Sequence, residues 1–86
     1  MVSKTEIKGD IQRLEAVASA IEDKNYVLAF KSCVLVCDIY YKDVAVIERQ
    51  LFDNIRYDAH KGTEYAREYA LHLKKDAEYI LNDMEA

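Results

Sequence analysis

The chain has 86 residues, 51% of them hydrophobic and 33% charged, with two Gly, no Pro and a net charge of −4. A chain of this length makes one domain that buries about 60–65% of its unfolded surface, and the composition excludes a disordered tail and favours helices. Residues 1–24 carry four basic and five acidic groups, residues 25–61 five of each, and residues 62–86 three and six; without a Lys/Arg stripe to neutralise phosphates, nucleic acid is not an expected partner.

The opening MVSKTEIKGDIQ has no apolar core of the kind a secretory leader needs, and no window approaches the roughly 18–20 apolar residues of a membrane span. A soluble protein of the cytoplasm, with no membrane partner, is the expectation. The first predicted helix starts at Ser3, where Ser3-Lys-Thr-Glu6 has the spacing of a capping box. Ile7, Ile11, Leu14, Val17, Ala18 and Ile21 then recur every three or four residues and form one stripe, which keeps its phase across Gly9. The polar run Glu22-Asp23-Lys24-Asn25 ends it, and Asp23 or Asn25 can cap the next helix. Ala20, Asn25-Tyr26 and Ala29 resemble the turn spacing of a tetratricopeptide-type hairpin over about ten residues; a generic αα-hairpin accounts for the same residues.

A second helix is predicted over about Tyr26 to Tyr41. At 100° per residue, Tyr26, Phe30, Cys33, Cys37 and Tyr41 fall within about 80° of one another and make a core face. Leu28, Leu35 and Ile39 lie on roughly the opposite side, bordered by the polar strip Lys31, Asp38 and Lys42. This helix has two apolar faces. Lys42-Asp43 can cap a third helix with Val44, Ile47, Leu51, Phe52 and Ile55 inward. Because its stripe continues that of the second helix in phase, the alternative is a single rod from about 26 to 60, roughly 50 Å long. A break near Tyr41–Asp43 is preferred, since a compact arrangement buries more of so short a chain. His60-Lys61-Gly62 ends the third helix, and Thr63 caps a fourth with Ala66, Tyr69, Leu73, Ala77, Ile80, Leu81 and Met84 inward. Asp83 and Glu85 at its negative end predict fraying. The fold expected is all-α: residues 1–86 as a single domain, an antiparallel bundle of four helices, or else three helices with one long central helix.

Few residues are arranged for chemistry. Cys33 and Cys37 are the two cysteines; they share a face, but a zinc site wants four ligands and no second Cys or His pair accompanies them, so buried thiols are expected and no metal or cofactor. Arg56 and His60 are similar to the Arg/His pair of small helical ribonucleases of the HEPN type, although three residues separate them here where that family has four to six. His60 otherwise serves as a cation at a helix end. The carboxylates lack a cleft to perturb them. No nucleophile signature, P-loop or dinucleotide fingerprint occurs, and an enzyme is not expected.

Seven tyrosines and the second apolar face are the informative features. Tyr26, Tyr41 and Tyr69 fall on core stripes, whereas Tyr40, Tyr57, Tyr65 and Tyr79 lie at stripe edges, where a phenol buries its ring and keeps its hydroxyl wet. Leu28, Leu35 and Ile39, with Leu71 on the fourth helix, exceed what one stripe per helix requires. Either they surround a central helix or they form an interaction surface. The expected function is a non-enzymatic interaction module: a small regulator, adaptor or inhibitor that binds a larger protein, a profile that suits a bacterial or phage accessory factor. Its contacts would be Leu28, Lys31, Leu35, Asp38, Ile39, Tyr40 and Lys42. A self-assembling structural homodimer using the same face is the alternative, and a small nuclease or metal-dependent enzyme around Arg56 and His60 a third.

Overall fold

The computed structural model describes residues 3–36, 41–57 and 63–85, apart from the side chains of Tyr41 and Tyr57. They form an all-α bundle of four helices, α1 (Lys4–Glu22), α2 (Tyr26–Cys33), α3 (Tyr41–Tyr57) and α4 (Thr63–Glu85). The helices close a ring in which α1 packs on α2 and α4, and α3 packs on α2 and α4. Ion pairs between Lys8 and Glu85 (3.7 Å) and between Glu15 and Lys74 (3.8 Å) show α1 and α4 running antiparallel. These two long helices give the molecule its extended shape, 44 × 19 × 16 Å. The small side chains Ala66, Ala70 and Ala77, all buried on α4, leave room for Leu14, Val17 and Ile21 of α1.

Local chemistry sets most of the boundaries. The Ser3 hydroxyl oxygen accepts the Glu6 backbone N–H at 3.2 Å and caps α1. At the other end the Asn25 N–H donates to the Ala20 carbonyl (2.8 Å) and the Lys24 N–H to that of Ile21 (3.0 Å), the paired bonds of a Schellman stop. Lys24 occupies the left-handed position of this motif, at φ 60°. The Asn25 side chain then accepts the Leu28 N–H at 3.2 Å, so one turn both stops α1 and starts α2.

The second helix is shorter than its pattern predicts. It ends at Cys33, followed by a turn at Val34–Leu35 and a bend at Val36. The Val34 N–H still reaches the Phe30 carbonyl four residues back, but Leu35 and Val36 bond only three back, to Ser32 and Cys33; the chain tightens and leaves the helix without Gly or Pro. Val34 and Val36 are β-branched and Val34 and Leu35 are exposed, so little packing opposes their weak helix propensity. The continuous rod from 26 to 60 is therefore excluded, and the break falls well before Tyr41–Asp43. Cys37 and the predicted stop at His60-Lys61-Gly62 lie outside the described residues.

The core corrects two further expectations. On α3, Val44, Ile47 and Leu51 are buried as predicted, but Phe52 and Ile55 are 46% and 43% exposed. On α4, Leu71 packs against the core instead of joining an outer face, while Met84 is exposed. The last turn of α4 is helical through Glu85, whose carboxylate takes up Lys8; that cation offsets the unfavourable end charge. Among the described residues, two polar side chains are buried, Asp10 and Asn54. Asp10, beside Arg13 at 3.3 Å, occupies a position on the α1 stripe that the periodicity leaves polar.

Candidate interaction surface

Eight residues make α2 about 12 Å long, against about 25 Å for α3. Ala29 and Cys33 are the buried residues of α2, with Tyr26 and Phe30 packed at the edge of the core. Burial pushes the Cys33 thiol up to about 12, with the negative charge of Glu48 adding to it, so this sulfur packs as a neutral apolar group.

The opposite side of α2 is apolar and uncovered. Val27 and Leu28 on α2, and Val34 and Leu35 in the turn that follows it, are 50%, 50%, 54% and 62% exposed. Lys31, between them in the chain, is exposed as well. Lys42 is exposed in the first turn of α3; Asp38, Ile39 and Tyr40 lie outside the described residues. Val27 was assigned to neither predicted stripe, and Val34, which falls on the inward stripe that runs in phase from the second helix into the third, is exposed instead. Their spacing of seven residues, two helical turns, was the available signal.

A concavity lies between α2 and α3. Phe30, Ala45, Glu48, Arg49 and Phe52 line a shallow groove of about 280 Å³ between the two helices. The Phe30 and Phe52 rings lie 6.4 Å apart, tilted by 47°, and the Arg56 guanidinium sits 6.0 Å from the Phe52 centroid, within cation–π range. Sequence pattern assigned Phe52 and Ile55 to the interior. Both are exposed, Phe52 although its ring lies beside Phe30 of α2.

Charge differs between the two halves of the bundle. Lys8–Glu85, Arg13–Asp10, Arg67–Glu64 and the Lys74 pairs belong to α1 and α4. On the α2–α3 side, Lys31, Lys42 and Arg49 make no ion pair among the described residues, and Asp43 instead accepts the Tyr69 hydroxyl of α4 at 3.1 Å. A second concavity, about 320 Å³, lies between the α1–α2 turn and the start of α4. Its charges, Glu22, Lys24, Glu64 and Arg67, balance, and Arg67 is held by Glu64. No helix among the described residues is long and apolar enough to cross a membrane. Comparison with known proteins leaves the geometry to speak alone: no family model, no curated protein and no solved structure matches the chain.

Proposed function

We propose that this protein is a non-catalytic interaction module of the cytoplasm, a small regulator, adaptor or inhibitor that acts by occupying a surface of a larger protein. One observation carries this: four aliphatic side chains, Val27 and Leu28 on α2 and Val34 and Leu35 in the turn after it, are half exposed or more. An ordinary surface helix is polar on its exposed side, and a contiguous exposed apolar surface marks an interaction site. The groove beside it supplies two aromatic rings, the residue class enriched at the energetic centres of interfaces.

The double substitution Leu28→Asp and Leu35→Asp tests the assignment. Both side chains are exposed, so stability is expected to change by less than about 0.5 kcal/mol per site, as read by urea denaturation. Affinity purification from source cells, with wild type and variant compared, is expected to lose its partner in the variant. Retention of the same partner by a folded variant would overturn the assignment of this surface.

A further inference from the structure

No further inference is drawn: the strongest candidate, the exposed apolar surface formed by Val27 and Leu28 of α2 and Val34 and Leu35 of the turn after it, carries none because nothing in the structure shows what covers it.

Discussion

At the residue scale, the most constrained position is Lys24. A side chain with a Cβ in the left-handed region is strained, and glycine is the residue that relieves it. Lys24→Gly is expected to stabilise the protein by about 0.5–1 kcal/mol, seen as a higher urea midpoint with unchanged slope. Cys33 ties stability to alkaline pH. Its thiol ionises near the ordinary value of 9 in the unfolded chain and near 12 in the folded one. The folded state therefore holds the proton more tightly, so stability is intact below pH 9 and falls as pH rises toward 12, by roughly 4 kcal/mol in all. Circular dichroism titration of Cys37→Ser and of Cys33→Ala/Cys37→Ser is expected to show an alkaline unfolding component in the first that the second lacks. Capping was legible at this scale. Ser3 and Asn25 act where their side chains allow, because a cap depends on four consecutive residues and not on the fold. The burial of Asp10 was not legible, since a carboxylate on a helix stripe looks solvated until a neighbouring helix closes over it.

At the scale of elements, α2 is the dependent one. Eight residues are too few to hold a helix in water, so it persists through its cap and its contacts with α1 and α3. Asn25→Ala is expected to cost about 1 kcal/mol, and hydrogen exchange to show faster opening of α2 amides than of α1 amides. The helix–turn–helix course of residues 3–33 matched the residue pattern closely. The break after Cys33 did not, because the apolar stripe runs on in phase through the turn. Periodicity reports which side chains are apolar; it does not report where packing ceases to hold the backbone helical.

For the whole molecule, the packing of the helices on one another decides what is core and what is surface. Leu51 and Phe52 are neighbours in the chain, and Leu51 is fully buried while Phe52 is half exposed. Leu51→Ala is expected to cost about 2–5 kcal/mol through the cavity it leaves. Phe52→Ala is expected to cost less than the low end of that range. Parallel denaturation of the two variants checks this. A larger loss of stability for Phe52→Ala would place the groove in the core.

What the sequence determined by itself was local: an all-α chain, the capped starts of α1 and α2, and an excess of aliphatic residues on the second helix. Those features arise from composition, spacing and short-range hydrogen bonding, which act within a few residues. Only the tertiary structure decided that α2 stops at Cys33, that Phe52 and Ile55 stay exposed, and that Phe30 and Phe52 meet in a groove between α2 and α3. Each of these depends on how one helix packs against another, which no periodicity within a single segment encodes.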